Sequence, residues 1–151
     1  NDILKNELKK NQDYGYVLIL QPTSPFRLKR DFNLAYKNLI KKKYDSAITV
    51  TKVDEHPERM KIFKKHNRVE NYIKMNKESL IPRQKLSKVY IRAGSMYFTS
   101  VKSLYKNNSL VGKKVFGIKV KDKYSLNIDT KKDLILAKYY FDVKNRKQNS
   151  W

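Results

Sequence analysis

The stretch Tyr16-Val-Leu-Ile-Leu20 runs directly into Gln21-Pro-Thr-Ser-Pro-Phe-Arg27, and its reading decides the fold. Five consecutive apolar residues bounded by turn formers suit a strand buried on both faces, as in a parallel sheet. Ligands of open α/β sheets gather beyond the carboxyl ends of such strands. Gln21, Thr23, Ser24 and Arg27 are therefore candidates for a polar ligand site. The plainer alternative is a proline-stiffened turn whose hydroxyls cap the next helix.

Working outward, Asp31 stands where an N-cap belongs, and Phe32, Ala35, Tyr36, Leu39 and Ile40 recur at helical spacing as one buried stripe. Lys41–Lys43 put positive charge at the helix C-terminus, where the helix dipole favours it. The β-branched run Ser46-Ala-Ile-Thr-Val-Thr51 reads as a second strand, which makes a right-handed βαβ unit the default. Residues 53–88 break this rhythm. His56-Pro57 marks a turn, and residues 61–64 and 69–74 read as two short strands around a turn at His66-Asn67. The segment is too polar for a central sheet and reads as an excursion from a single domain covering 1–151. A dimer contact and a plain surface loop fit that pattern equally.

Val89–Phe98 returns to strand patterning, with Gly94 marking a bulge or a close backbone approach. Thr99 is placed to cap a short helix carrying Val101, Leu104 and Tyr105, and Val115–Val120 is a further strand. Thr130 and Asp133 have capping-box spacing, ahead of a helix whose stripe is Leu134, Ala137 and Phe141. The tail from Lys144 is expected to fray. At the other end, Ile3, Leu4 and Leu8 suggest an amphipathic helix. A chain opening this way at Asn1, with a strand so early, is expected to be trimmed at its N-terminus.

Composition narrows the function. The 151 residues include no cysteine, which excludes disulfides, thiolate chemistry and sulfur-bound zinc and fits a cytoplasmic setting. No run approaches the roughly 18 apolar residues of a membrane span. The net charge of +21 and the 11 tyrosines raise nucleic-acid binding first. The basic residues are dispersed, however, and no nucleic-acid-binding signature occurs, so that partner is not expected. The charge would instead steer anionic substrates. His56 and His66 lack ligand-like spacing, and no phosphate-cradling glycine loop is present. Asp129, just before a capped helix, is the best single carboxylate for a hard cation such as Mg²⁺, which takes one or two carboxylates plus phosphate oxygens and water. Its alternative role is to stabilise that helix N-terminus.

The blocks Leu20-Gln-Pro-Thr-Ser-Pro-Phe-Arg27 with Asp31, Asp45-Ser-Ala-Ile-Thr-Val50, His56-Pro57, Arg83-Gln84, Ala93-Gly-Ser-Met-Tyr97 and Asn127-Ile-Asp-Thr-Lys-Lys-Asp-Leu134 are collinear. Together they resemble the acylneuraminate cytidylyltransferases, the CMP-sialic acid synthetases and their legionaminic and pseudaminic acid relatives, from about Asp13 to Phe141. The resemblance implies a Rossmann-like α/β nucleotide-sugar transferase fold with helices on both sheet faces, incomplete at the N-terminus. It implies Mg²⁺-dependent attack of a nonulosonic acid's anomeric hydroxyl on the α-phosphorus of CTP, with pyrophosphate leaving. Such chemistry rests on positioning and charge neutralisation.

By the same resemblance, Gln21 and Thr23 line the sugar and nucleotide site, with Ser24, Arg27 and Gln84 in the same blocks. Arg83 pairs with the sugar carboxylate, Tyr97 walls the sugar's acyl group, and Asp129 binds Mg²⁺, with Asn127 beside it. The excursion is similar to the family's dimerisation arm, and Arg59 lies near a basic position that reaches a partner subunit's site, so a homodimer is implied. Three departures stand out. Asn127-Ile-Asp129 replaces Asp-Ile-Asp, Ala93-Gly94 replaces Asn-Gly, and the loop that cradles the CTP phosphates is expected upstream, so residues 1–151 alone should form negligible CMP-sugar. A transferase for another keto-sugar acid or nucleotide, a basic nucleic-acid-binding module, and a remnant that only dimerises are the alternatives.

Overall fold

A computed structural model describes residues 6–9, 14–74 and 81–148, with all side chains among them except those of 83 and 144–148. Ile3 and Leu4 lie outside the described residues. Leu8, in a helical turn at residues 6–9 (α1), is buried. The chain divides into two units, residues 1–51 with 92–151 and residues 52–91.

The larger unit is built on a four-stranded mixed sheet. Its strands are β1 (Tyr16–Ile19), β2 (Ser46–Lys52), β5 (Tyr90–Ser100) and β6 (Val115–Lys119), in the order β1-β5-β2-β6. β1 runs antiparallel to β5, pairing Tyr16 with Ser100 and Ile19 with Tyr97. β2 runs parallel to β6, pairing Ser46 with Val115 and Val50 with Lys119. The apolar run is an edge strand with alternating exposure rather than a strand buried on both faces, and β5 separates it from β2. The doubly buried strands are β2 and β5, whose small and β-branched residues let layers close over both faces.

Helix α2 (Lys29–Lys42) packs Ala35 and Leu39 against Ala47, Met96, Phe98 and Ile118 to form the core. Its stripe is narrower than the spacing implied. Phe32, Tyr36 and Ile40 stay partly exposed, while the rings of Phe32 and Tyr36 lean on Phe98 at 5.8 and 6.4 Å. Asp31 is not the N-cap. The helix starts two residues earlier, behind an extended Leu28 with no capping side chain, and Asp31 lies buried in the first turn. Lys43 ends the helix at φ 53°, in the left-handed conformation.

Helix α3 (Val101–Asn107) is capped by Ser100, whose hydroxyl accepts from Ser103 N–H at 3.2 Å. Thr99, the expected cap, is instead a fully buried residue of β5. Asp45 joins three strands at their ends. Its N–H donates to Lys114 O at 2.8 Å, its carbonyl accepts from Ser100 N–H at 3.0 Å, and its carboxylate accepts from Lys114 N–H at 2.8 Å.

Helix α4 (Lys131–Gln148) begins at the expected capping box. Asp133 Oδ2 accepts from Thr130 N–H at 2.8 Å, and Thr130 Oγ1 accepts from Asp133 N–H at 3.3 Å. The bonds from Thr130 hold the Asp133 carboxyl below its ordinary value. The helix continues through Gln148, and the rest of the tail lies outside the described residues. Of its stripe only Ala137 is buried; Leu134 and Phe141 line an open groove with Pro25, Phe26 and Ile128. Across that groove Phe26 meets Tyr140 edge-on at 6.1 Å, and Lys123 Nζ sits 5.0 Å from the Phe26 ring centre.

The smaller unit, residues 52–91, holds an antiparallel hairpin, β3 (Lys61–Phe63) and β4 (Val69–Asn71), with Phe63 opposite Val69. His66 and Asn67 turn it with φ of 56° and 58°. A bond from Val53 N–H to Val89 O at 3.1 Å ties the two ends of the unit. His56 accepts from Glu58 N–H at 3.3 Å through Nδ1, which starts a 3-10 turn at Pro57–Arg59.

Candidate functional site

The loop that leaves β1 is pinned from three directions. Ser24 N–H donates to Gln21 O at 3.1 Å, which closes a tight turn over Pro22 and Thr23. Arg27 Nε donates to Ser95 O at 2.9 Å, and its Nη2 donates to Gln21 O. One guanidinium fork thereby bolts the loop to β5, so Arg27 acts on main-chain carbonyls. The Thr23 carbonyl accepts from Ile128 N–H at 2.8 Å, which brings the segment Asn127–Asp129 alongside.

Two side chains complete this junction. Ser24 is fully buried, and its hydroxyl donates to Asn127 Oδ1. Beneath them β5 passes at Gly94, whose φ of +74° lies where L-residues are strained. A β-carbon there would sit 2.5 Å from Gln21 Oε1 and 2.9 Å from Asn127 Nδ2. The glycine is needed twice, for its backbone angle and for the space the two carboxamides occupy. The groups that approach Gly94 are side chains from two loops of the chain itself.

The structure therefore brings Gln21, Ser24 and Asn127 together over Gly94, with Arg27 gripping the loop from below. Thr23 is exposed at the loop tip. Asp129 is exposed two residues beyond Asn127; its N–H donates to Asp133 at 3.2 Å, and among the described residues its carboxylate has no hydrogen-bond partner. Tyr97 is half-buried on β5 opposite Ile19. Arg59, Arg83 and Gln84 belong to the smaller unit. Arg59 reaches Ile81 O at 3.5 Å, and the Arg83 side chain lies outside the described residues. Gln84 lines a cavity of about 260 Å³ with Lys52, His56, Ser87 and Lys88.

Several features had no place in the pattern reading. Thr49 and Ser95 share a buried hydroxyl pair at 2.9 Å, a polar contact inside two strands that hydrophobic periodicity does not register. These two residues help line a cavity of about 200 Å³ beneath the loop, together with Leu20, Phe26, Asp31 and Met96. Burial raises the Asp31 carboxyl above its ordinary value, with Arg30 opposing the shift from 3.6 Å. In the smaller unit His56 Nε2 is buried without a protein partner.

Among the described residues no group of three or more His, Asp or Glu side chains is clustered for a closed metal site. An accessible Asp129 carboxylate fits the looser requirement of Mg²⁺, which takes most of its ligands from water and phosphate. Among the described residues no helix is long and apolar enough to cross a membrane.

No protein-family model and no curated protein matches the chain. Among solved structures it is similar to that of a 4-diphosphocytidyl-2C-methyl-D-erythritolsynthase from Anaerococcus prevotii. The TM-score is 0.61 at 19% identity, over 92% of this chain; the chain spans 64% of that one's length. The likeness establishes the fold expected from the sequence, a Rossmann-like α/β sheet flanked by helices.

Proposed function

We propose that this chain is part of a CTP-using nucleotidyltransferase that joins CMP to a sialic-acid-like nonulosonic acid with release of pyrophosphate. The observation that carries the reading is the meeting of Gln21, Ser24 and Asn127 over Gly94, beside an exposed Asp129 carboxylate. Residues from collinear blocks far apart in sequence converge at the loop after β1, the position at which open α/β sheets hold ligands. The fold's likeness to a diphosphocytidyl synthase supports cytidine as the nucleotide. The acid sugar rests on the sequence resemblance.

In this reading Gln21 and Thr23 contact sugar and nucleotide, Tyr97 walls the acyl group, and Arg83 offers its guanidinium to the sugar carboxylate. Asp129 would hold Mg²⁺ together with phosphate oxygens; the ion neutralises charge on the triphosphate and its leaving group. The chain's own residues position the reactants, and none acts as a covalent nucleophile. The smaller unit serves as the arm of a homodimer, with Arg59 directed to the partner's site.

Isothermal titration of the chain with CTP, UTP, ATP and GTP in the presence of Mg²⁺ tests the nucleotide. CTP should bind at least tenfold more tightly than the purine nucleotides, and equal affinities would refute the assignment. Titration with N-acetylneuraminate tests the acid sugar in the same cell.

A further inference from the structure

We propose that Asn127 is a specificity-determining residue, reading a neutral hydroxyl or N-acyl group of the substrate through its Nδ2 amide. The inference rests on the cytidylyltransferase reading and deepens it.

A carboxamide offers one oxygen that accepts and one nitrogen that donates. In Asn127 that oxygen accepts the hydroxyl of Ser24, which is fully buried and donates there. The same bond orients the amide. With Oδ1 held by Ser24, Nδ2 lies over Gly94, where it and Gln21 Oε1 are both within 2.9 Å of one point, the place of an absent β-carbon. The two groups form a floor with one donor and one acceptor side by side.

Among the described residues neither Nδ2 nor the Gln21 carboxamide has a protein partner, and both residues are half-buried. Neither atom is closed off from water, so a ligand group would take the place of solvent there. A hydroxyl or a secondary amide can accept from Nδ2 and donate to Oε1 at once. A carboxylate or phosphate can only accept, so it would satisfy Nδ2 while facing the Gln21 oxygen. The floor therefore suits the polyhydroxyl or N-acyl part of an acid sugar and disfavours its charged groups. Asp129 is left as the carboxylate for a cation.

An aspartate at 127 would still accept from Ser24, but both floor atoms would then be acceptors beside Asp129. A single nitrogen-for-oxygen exchange decides between a hydrogen-bond reader and a cation holder. Asn127→Asp is nearly isosteric and should retain the fold, as checked by far-UV circular dichroism. We expect it to weaken N-acetylneuraminate binding roughly tenfold, the loss of one hydrogen bond to a half-buried partner. CTP affinity should stay within about twofold, and Mn²⁺ affinity, read by water-proton relaxation, should rise because a second carboxylate joins Asp129. Ser24→Ala frees the oxygen and unfixes the amide. It should weaken the sugar acid by a smaller factor without adding a carboxylate for Mn²⁺.

If wild type binds both ligands and sugar affinity is unchanged in both variants, this inference falls while the cytidylyltransferase reading stands. A loss confined to CTP in Asn127→Asp also overturns it. A full-length wild type that binds neither CTP nor N-acetylneuraminate overturns the reading and the inference together.

Discussion

Replacing Gly94 by alanine should damage stability and ligand binding for two separable reasons. At φ +74° an alanine is held in the left-handed region, at a cost of about 1–2 kcal/mol. The new methyl would also stand 2.5 Å from Gln21 Oε1 and 2.9 Å from Asn127 Nδ2. Those atoms are the far ends of flexible side chains, so they can swing aside with little further loss of stability. A domain of this size loses roughly 2–4 °C in Tm per kcal/mol, so the expected fall is roughly 2–8 °C. Urea unfolding should show a lower midpoint with an unchanged slope. Sugar-acid binding should fall more than stability implies, because both carboxamides have left the floor. Gly94→Asn separates the two causes: asparagine tolerates positive φ but carries the same β-carbon. It should recover much of the stability and none of the binding. An alanine variant with wild-type Tm and wild-type affinity would refute both the backbone and the close-approach arguments.

Gly112→Ala should destabilise by overpacking, about 1–3 kcal/mol, because its β-carbon would lie 2.3 Å from Asp45 Cβ at a junction of strand ends; an unchanged urea midpoint contradicts this. Asp129→Ala should leave Tm unchanged, since the side chain is exposed, while removing the dependence of CTP affinity on Mg²⁺; a titration in which that dependence persists places the metal elsewhere. Asp31 binds its proton more tightly folded than unfolded, so its contribution to stability is fully present below the unfolded value of 3.8 and is lost as pH rises through its raised folded value. Asp31→Asn should flatten the stability–pH curve in the window just above 3.8, and a curve with unchanged slope there would show that burial does not govern this carboxyl.

The sequence made much of the frame legible, for reasons that differ by element. The β-branched run at 46–51 and the strand patterning at 89–98 became the two doubly buried strands because their residues suit no other environment. The apolar run at 16–20 looked the most buried of all and became an edge, since an apolar run specifies a strand but not its neighbours. Asp31 and Thr99 failed as caps by small offsets. Ser100 is a hydroxyl one residue along, and Leu28 shows that α2 starts without a side-chain cap at all. At the site, Gln21, Asn127 and Gly94 were each visible in a block, but their meeting point was not. A guanidinium that grips carbonyls, as that of Arg27 does, leaves the same trace in sequence as one that awaits an anion.

That grip has a consequence for how such a site can vary. Arg27 holds the carbonyls of Gln21 and Ser95, not their side chains. Whatever residue stands at 21, the clamp finds the same oxygen, so this furniture of the pocket can be exchanged while its frame stays put. Position 27 itself has no such freedom, since lysine offers no planar fork to bridge two carbonyls. In a library randomised at 21 and 27, folded members should tolerate many residues at 21 and return arginine at 27.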